Sequence, residues 1–564
     1  MLALGMLAGA AALGWYAFHG AGDPAPTRTL MVYCAAGLKK PVEEIKAAWE
    51  KETGIEVSLQ YGGTGTLMSQ IEVAHRGDLF IAADAGAAAD AAKRGLVEEQ
   101  IPLVRQTPVI AVPSGNPKGV KAFADLLRPD LRVALANPEA ASIGRATQAA
   151  AGAQWEALKS KVAVMKPTVT DIASDLTLGA VDAAVLWDAT VPQFKGIEAV
   201  QIPEFASRSE TAMVCVLKSC EQPALALRLA RYFSAPEKGA VVFAKQGFTP
   251  ESGDAWAATP EIILYSGAVN RPAVEPLVND FIKREGVSIT TVYNGCGILC
   301  SAMKAMQDQA APKLPDAYYA CDVCFVPPVA DIFPEAIMLT ETPIVIAVPE
   351  GNPLGIHTLA DLAREGLRLG ICNAEQSTLG FMTRGLLRKN SLEFSVRKNV
   401  AVEVPTADFL INQLRAGGLD AAIVYLVNVE NQKEHLDAVP ILDAGATAVQ
   451  PFAVRKDSSY RLISQRLLRH FQAHPESFKE RGFTWRDGEK PMQSKDIEVP
   501  LGSSPTGPSE DPGLPAWTLP RLLCRLPGLP FQRELFWRRS KLSCRDGPMC
   551  RSSSCSSPLW WGFI

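Results

Sequence analysis

The chain alternates short apolar runs with longer amphipathic segments. Leu30–Cys34, Glu56–Tyr61 and Asp78–Ala82 are predicted strands, because each is a short apolar or alternating run bounded by turn residues. Val42–Thr53 and Leu67–Arg76, which separate them, have the period of amphipathic helices. Strands separated by such helices predict α/β units with parallel sheets. The pattern continues with strands at Val109–Val112, Arg132–Leu135 and Asp182–Leu186 and a helix at Ile172–Leu178.

The whole pattern occurs twice. Five sequence blocks recur in the same order at offsets of 232 to 238 residues. The pairs are Tyr33 with Tyr61–Gly65 and Tyr265 with Tyr293–Gly297, Thr107–Pro117 and Thr342–Pro353, Phe123–Leu126 and Leu359–Leu362, Asp182–Trp187 and Asp420–Tyr425, and Gly247–Thr249 and Gly482–Thr484. An ordered series of this kind predicts a tandem duplication.

The length agrees with two modules, since 564 residues exceed what one core usually holds. We expect a first module at residues 28–250 and a second, diverged module at residues 260–486. Residues 487–564 change in character: a stretch rich in Gly, Ser and Pro precedes Arg, Cys, Ser, Pro and Trp without periodicity. This composition is typical of a disordered extension or of a misassigned reading frame.

Residues 1–27 begin with an uncharged apolar run, Met1–Phe18. A helix of this length just spans the hydrocarbon core of a bilayer. A signal peptide would carry a basic segment before the run, and no convincing small-residue cleavage site follows it. We therefore expect a membrane anchor rather than a cleaved signal, followed by a short linker; a buried helix of the first module is the alternative.

Composition and motifs narrow the function. A formal net charge of −4 gives no reason to expect nucleic acid as a partner, because phosphate binding needs a concentrated basic face. The sequence has no G-x-S-x-G nucleophile elbow and no G-x-x-x-x-G-K-[ST] phosphate loop. We therefore expect a protein that is not an enzyme and that carries no cofactor or resident metal.

Four loops that lead from a predicted strand into a helix are candidate ligand sites, since ligands of parallel α/β sheets bind beyond the carboxyl ends of the strands. They are Cys34–Leu38, Gly62–Thr66, Asn137–Gly144 and Thr168–Asp171. Glycines let the backbone approach a ligand, and helix N-termini present unpaired amides to an anion. Alone, such a loop is more often only a tight turn or a helix cap. The four in order favour an anion site.

These residues also carry a family resemblance. The order C-A-A-G-L, then Y-G-G-T-G-T-L, then Gly77–Asp84 resembles the periplasmic molybdate-binding proteins of ABC importers. The resemblance covers roughly residues 29–250 and, more weakly, 261–486. It implies a type II periplasmic-binding fold: two tandem α/β modules, each made of two Rossmann-like lobes that close on a tetrahedral oxyanion held by neutral donors.

The resemblance also implies ligand-binding positions. In the first module they are Gly37, Thr64, Ile143, Ile172 and Trp187. Gly37 stands where the family usually has Ser, so only its amide can donate. Trp187 stands where Tyr is usual and offers an indole N–H at most, whereas Thr64 keeps a hydroxyl.

The second module departs further from the family pattern. Its matching positions are Cys296, Leu379 and Tyr425, of which Tyr425 retains the family Tyr. Cys296 replaces Thr64, so this site, if it binds, is expected to take another ligand.

Four cysteines of the second module allow three interpretations. Cys296 and Cys300, with Cys321 and Cys324, fit a zinc or iron–sulfur site, one or two disulfides, or inert buried thiols. We expect Cys300 on the helix after the Cys296 loop, and Cys324 within a buried strand, because Cys321–Cys324 is taken to replace the strand that begins at Asp78.

The sequence thus predicts an extracytoplasmic, membrane-anchored solute-binding protein. It would capture a tetrahedral oxyanion, with molybdate or tungstate favoured, and deliver it to an ABC permease. The alternative is a membrane-tethered oxyanion sensor or storage protein whose second module has diverged to a thiol or metal site.

Overall fold

The computed structural model describes residues 29–162, 164–307, 309 and 313–499. The expected anchor or signal segment at residues 1–27 and the tail from residue 500 onward lie outside the described residues. Among the helices that are described, none is long and apolar enough to cross a membrane.

The first module contains eleven strands and nine helices within the described residues. The strands are β1 (Thr29–Ala35), β2 (Glu56–Gly62), β3 (Leu79–Ala82), β4 (Val97–Gln106), β5 (Pro108–Pro113), β6 (Val133–Ala136), β7 (Val164–Lys166), β8 (Ala183–Trp187), β9 (Ile197–Val200), β10 (Glu210–Leu217) and β11 (Thr249–Pro250). The helices are α1 (Lys39–Thr53), α2 (Thr64–Ala74), α3 (Ala85–Lys93), α4 (Ser142–Ala151), α5 (Trp155–Lys161), α6 (Val169–Thr177), α7 (Pro203–Ala206), α8 (Pro223–Ser234) and α9 (Val241–Lys245).

These strands form two sheets, one in each lobe. The first lobe has the order β11-β4-β10-β3-β1-β2, and the second has β7-β6-β8-β5-β9. The chain crosses between lobes at Thr107, between β4 and β5, and returns between β9 and β10. The β1–β2, β1–β3, β6–β7 and β6–β8 pairs are parallel, but β10 pairs antiparallel with β3 and β4, and β5 with β8 and β9. Both sheets are therefore mixed and not parallel throughout, because the strands next to the crossings run in the opposite direction.

Each lobe is held by its own apolar core. In the first lobe, Trp49 of α1 packs edge-to-face against Tyr232 of α8, with ring centroids 5.3 Å apart. In the second lobe, Ile110, Leu135 and Leu186 on adjacent strands are fully buried. Burial of such side chains contributes roughly 1.5–3 kcal/mol each.

The second module repeats this plan. Its strands are β12 (Glu261–Gly267), β13 (Ser288–Asn294), β14 (Ala317–Tyr319), β15 (Glu335–Pro349), β16 (Leu369–Cys372), β17 (Val400–Val404), β18 (Ala421–Tyr425), β19 (Leu436–Pro440), β20 (Thr447–Val454), β21 (Thr484–Trp485) and β22 (Met492–Gln493). Its helices are α10 (Arg271–Glu285), α11 (Cys296–Gln307), α12 (Thr378–Lys389), α13 (Glu393–Arg397), α14 (Ala407–Arg415), α15 (Leu426–Glu430), α16 (Arg461–Ala473) and α17 (Pro475–Lys479). The long strand β15 runs through both lobes, pairing first with β20 and then with β18 and β19. The fold is therefore the predicted pair of tandem α/β modules.

The second module continues past residue 486, where its end was expected. Strand β22 pairs with β15, the amide of Ser494 donates to the carbonyl of Pro334, and Ile497 is buried. Residues 487–499 accordingly pack on the second module instead of starting the tail.

A buried cluster of charges joins the two modules. Glu285 at the end of α10 accepts from Arg231 of the first module at 3.2 Å and from Arg466 Nε of the second at 2.9 Å. All three side chains are almost fully buried. Burial acts to raise the pKa of Glu285, but the charges of Arg466 and Arg231 outweigh it and hold that pKa below its ordinary value.

Candidate functional site

A small cavity lies between the two lobes of the first module. Its volume is about 20 Å³. It is bordered by the turn after β1, the loop before α2, the N-termini of α4 and α6, and the end of β8. The lining residues are Ala35–Leu38, Gly62–Thr64, Ala83, Gln106, Ala141–Ile143, Thr168, Val169 and Trp187. Each of the four loops singled out from the sequence contributes some of its residues to this lining, the fourth through Thr168 and Val169.

All of these lining residues are uncharged, so the cavity offers dipoles instead of a counter-ion. Helix α2 begins after Gly63 and α4 after Ala141, and neither of these residues provides a side-chain cap. The first N–H groups of a helix have no partner within the helix, and the helix dipole is positive at this end. The N-termini of α2 and α4 therefore suit an acceptor-only ligand.

Thr64 is positioned to donate its hydroxyl proton. Its Oγ1 accepts the Ala83 amide at 3.3 Å, and the residue is 2% exposed. A hydroxyl has one proton to donate and lone pairs that accept. Because the Ala83 amide occupies a lone pair, the proton of Thr64 remains available to a group in the cavity.

The glycines of the Gly62–Thr66 loop allow the two lobes to touch. A Cβ on Gly63 would lie 2.3 Å from the carbonyl oxygen of Pro167, and one on Gly65 would lie 2.0 Å from that of Glu139. The amide of Gly65 donates to the Ala140 carbonyl at 2.9 Å. These glycines are therefore needed for contact across the cleft, in addition to any role in the turn.

Gly37 and Trp187 meet at another part of the same wall. A Cβ on Gly37 would lie 3.0 Å from Val169 Cγ1 and 3.9 Å from Trp187 Cδ1. The absence of a side chain at position 37 thus lets α6 of the second lobe approach the first lobe. Trp187, at the end of β8, is almost fully buried.

Of the five positions implied in this module, Gly37, Thr64, Ile143 and Trp187 line the cavity. Ile172 does not. Helix α6 begins at Val169, so Ile172 lies inside its first turn, and its amide faces the Thr168 carbonyl at 3.5 Å. Val169 and the cap residue Thr168 border the cavity instead, and the placement of Ile172 at the site is corrected accordingly.

An ion pair across the cleft was missed by the sequence reading. Asp84, which caps α3 in the first lobe, accepts from Arg145 Nη2 at 2.7 Å and from the hydroxyl of Ser142, both on α4 of the second lobe. The signal available in the sequence was the spacing of Ser142 and Arg145, which places them on one helix face. Because the Ser142 hydroxyl is donated to Asp84, only the backbone of Ser142 is left for a ligand.

Gln106 also reaches the cavity and was not singled out from the sequence. Its Nε2 donates to the Ala83 carbonyl at 2.9 Å, and its Oε1 is buried with no partner among the described residues. A buried carbonyl oxygen without a partner is costly, so this position is a second place where a ligand group or water would be stabilised.

The second module has a matching cavity of about 10 Å³ between its lobes. Its lining is Ala268, Val269, Asn294, Gly295, Cys321, Ser377, Pro405–Asp408, Tyr425 and Asn428. The hydroxyl of Tyr425 is buried and has no partner among the described residues, as expected for a group that faces the cavity. Asp408 adds an exposed carboxylate that the lining of the first cavity does not have.

Cys296 and Leu379, the other two positions implied for this module, do not line the second cavity. Cys296 is fully buried behind Cys321, which takes the place at the wall, and Leu379 packs into the core while Ser377 borders the cavity. Gly295 and Gly297 repeat the role of Gly63 and Gly65: a Cβ on either would lie within 2.3 Å of a carbonyl oxygen of the other lobe.

The cysteines differ from their predicted placement at one point. Cys300 lies on α11, as predicted, but Cys324 lies in a 3-10 turn, Val323–Phe325, and not in a strand. The strand that corresponds to the one beginning at Asp78 is β14, which lies before these cysteines. Asp316–Ala320 matches Asp78–Ala82, so Cys321 matches Ala83. Within the described ranges, no group of three or more His, Cys, Asp or Glu residues is placed to hold a metal ion.

The comparison with known proteins decides the family. The sequence profile of the bacterial extracellular solute-binding proteins matches residues 30–249 and 262–474, which is more than three quarters of the chain. The chain belongs to this family. The two matches coincide with the two modules, and the family is one of binding proteins and not of enzymes.

Individual relatives cover one module each. The chain is 29% identical over 225 residues to a binding protein of Haemophilus influenzae. The aligned region covers 39% of this chain and 91% of the relative. It is 29% identical over 212 residues to a molybdate-binding protein of Mycobacterium bovis, and this alignment covers 36% of this chain and 79% of the relative. Among solved structures, the periplasmic molybdate-binding protein of Azotobacter vinelandii matches with 19% identity and a TM-score of 0.33, over 39% of this chain and 98% of that chain.

Proposed function

We propose that the protein is an extracytoplasmic receptor that captures a tetrahedral oxyanion, molybdate or tungstate by preference, and delivers it to an ABC permease. The first module carries this activity. The segment at residues 1–27 would hold the receptor at the membrane.

The observation that carries the proposal is the uncharged, donor-lined cavity between the lobes of the first module. A fully deprotonated oxyanion accepts hydrogen bonds and donates none. The Thr64 hydroxyl and the uncapped N-termini of α2 and α4 supply hydrogen-bond donors, and no negatively charged side chain of the described residues lines the cavity. Direct contact between the lobes removes water, which strengthens these hydrogen bonds.

Sulfate, molybdate and tungstate have the same charge, so neutral donors do not discriminate between them by charge. Gly37 adds no room for a larger anion, because Val169 Cγ1 lies 3.0 Å from the position that a Cβ would take. The choice of molybdate and tungstate over sulfate therefore comes from the family resemblance of the loops. The similarity to a molybdate-binding protein of Mycobacterium bovis supports the same choice.

Calorimetric titration of the full chain with molybdate, tungstate, sulfate and phosphate tests the proposal. We expect tight binding of molybdate and tungstate with one site per chain, and at least tenfold weaker binding by Thr64→Ala. Thr66→Ala is the matched control, since Thr66 is exposed on the same helix and does not line the cavity. Binding of none of the four anions, or equal loss in both variants, would refute the proposal.

We further propose that the two modules arose by duplication and that the second has changed ligand. Local details recur in both: Arg132 pairs with Asp182 as Arg368 pairs with Asp420, and Asn116 and Asn352 share positive φ angles of 45° and 47°. At the second cavity Cys321 stands where the first cavity has Ala83, and Asp408 adds a carboxylate to a lining that is otherwise uncharged, as the lining of the first cavity is. A carboxylate disfavours a dianion.

The thiol at this second cavity also favours a second candidate, a membrane-tethered oxyanion sensor or storage protein. The two functions separate in a transport assay with a molybdate-transporting ABC permease and its ATPase: a receptor stimulates uptake, whereas a sensor or storage protein binds the anion without stimulating uptake.

A further inference from the structure

Two thiols of the second module lie in contact. Cys296 Sγ is 2.8 Å from Cys321 Sγ, and the amide of Cys321 donates to Cys296 Sγ at 3.0 Å. Cys296 is the first residue of α11, and Cys321 follows β14. The two residues come from different loops of one lobe and are buried together.

The protonation of the pair is unequal. Burial acts to raise the pKa of Cys296, but hydrogen bonds from the Cys321 thiol, the Tyr318 hydroxyl and the Cys321 amide lower it below its ordinary value. The hydrogen bond to Cys296 and burial raise the pKa of Cys321 well above its ordinary value. Of the two sulfurs, Cys296, at the helix N-terminus, is therefore the more easily deprotonated, and the Cys321 thiol is the hydrogen-bond donor.

The surroundings are shaped for the second sulfur. A Cβ on Gly267 would lie 2.3 Å from Cys321 Sγ, so the glycine makes room for this thiol. In the first module the same two positions hold Thr64 and Ala83, whose contact is a hydrogen bond from the amide of Ala83 to the hydroxyl of Thr64. The second module keeps this backbone contact and replaces both side chains by thiols.

We propose that Cys296 and Cys321 form a reversible dithiol–disulfide site in the wall of the second cleft. The oxidant is a small-molecule disulfide or a disulfide-bearing protein of the extracytoplasmic compartment, where such oxidants are available. This site is independent of oxyanion binding by the first module.

The exchange takes two steps. Starting from the pair with one proton, the proton of Cys321 passes along the hydrogen bond to Cys296 Sγ, and the resulting Cys321 thiolate, which faces the cavity, attacks one sulfur of the incoming disulfide to form a mixed disulfide. The released sulfur leaves as a thiolate, takes the proton from Cys296 and departs as the first thiol. The thiolate of Cys296 then attacks Cys321 Sγ, forms the Cys296–Cys321 bond and expels the second sulfur as a thiolate. The protein loses two electrons and one proton, and the oxidant is reduced to one thiol and one thiolate.

Oxidation changes the second cleft at its wall. Cys321 lines the cavity and Cys296 lies behind it, so the bond removes a thiol proton from the lining and ties the N-terminus of α11 to the loop after β14. With a volume of only about 10 Å³, the closed cavity excludes a peptide-sized disulfide, and exchange requires the lobes to part.

The test equilibrates the full chain with glutathione buffers of increasing oxidised fraction. The samples are quenched with acid, unfolded, alkylated and mapped by peptide mass spectrometry. We expect near-complete loss of alkylation at Cys296 and Cys321 together, a linked peptide pair that lacks two hydrogens, and full recovery with dithiothreitol.

Two variants complete the test. Cys296→Thr with Cys321→Ala installs the residues of the first module, so it keeps the backbone contact and should abolish the link while the chain stays folded. Cys300→Ser is the matched control and should keep the link, since the Cys300 thiol is donated to the Phe325 carbonyl at 3.1 Å. Alkylation of Cys296 and Cys321 at every buffer ratio, or a bridge from either to Cys300 or Cys324, would overturn the proposal.

Discussion

Arg145 Nη2 lies 2.7 Å from Asp84 Oδ2, and this ion pair joins the two lobes of the first module. The second module has Asp322 at the position of Asp84 but Phe381 at the position of Arg145. Asp322 is fully buried and has no ion-pair partner among the described residues. The matching carboxylates therefore differ: Asp84 is ion-paired in the first module, whereas Asp322 is not ion-paired within the described residues of the second.

The first prediction concerns this ion pair. Arg145→Phe, which copies the second module, leaves Asp84 buried without its cation and weakens the closed form of the cleft. Arg145 is 38% exposed, so the effect is discounted for solvent screening, and we expect roughly tenfold weaker molybdate binding, or about 1.4 kcal/mol. Calorimetry measures it. Arg94→Ala, which removes ion pairs within the first lobe only, is the control; equal affinities of the wild type and Arg145→Phe would contradict the role of the pair.

The second prediction concerns closure through glycine. Gly65→Ala places a Cβ against the carbonyl of Glu139, a backbone group that cannot rotate away. We expect loss of molybdate binding, while the free energy of unfolding changes by no more than about 1 kcal/mol, because alanine favours the helix itself. Gly297→Ala makes the matched clash in the second module and should leave molybdate binding unchanged. A Gly65→Ala protein that binds normally would show that the lobes need not approach so closely.

The third prediction is a pH dependence from Asp322. Burial raises the pKa of Asp322 to about 6, although hydrogen bonds from Cys324 and from the amide of Val449 lower it. The unfolded chain releases this proton near the ordinary value of 3.8, so the folded state binds more protons between the two values. The contribution of Asp322 to stability therefore falls as pH rises from about 4 to about 6 and is constant above.

Urea unfolding of the wild type and Asp322→Asn at a series of pH values checks the sign. A shift of about two pKa units corresponds to up to ~3 kcal/mol, so the wild type should lose stability relative to the variant by this order between pH 4 and 7. Asn keeps an oxygen that accepts a backbone amide. Parallel curves for the two proteins would mean that Asp322 titrates in the folded state as it does in the unfolded chain.

The fourth prediction concerns the junction between modules. Glu285→Gln leaves the buried guanidinium groups of Arg231 and Arg466 without a charged partner. We expect a loss of about 3–5 kcal/mol in the free energy of unfolding, measured with urea. Glu393→Ala removes the partly exposed pair with Arg388 and should cost less than about 1 kcal/mol. Similar losses of unfolding free energy in the two variants would show that the buried Glu285 cluster contributes no more than an exposed ion pair.

Local elements followed from the sequence with small errors. Strands β1, β2 and β3 and helix α1 lie within three residues of their predicted bounds, because periodicity and turn residues report local structure. The start of α6 was predicted three residues late, whereas Ile172 was placed at the site by the family resemblance and not by this shift. A site at a helix N-terminus depends on the first residues of the helix, where such predictions are least accurate.

The sequence by itself determined the two α/β modules and the loops that face the first cleft, because these depend on hydrophobic periodicity and on repeated blocks. Only the tertiary structure decided which residues meet across a cleft. Asp84 with Arg145, Gly65 with Glu139, and Cys296 with Cys321 are far apart along the chain or belong to different loops. Their contacts arise when the two lobes close or when adjacent loops stack. Hydrophobic periodicity records which face of an element is buried, but it carries no information on the partner that buries it.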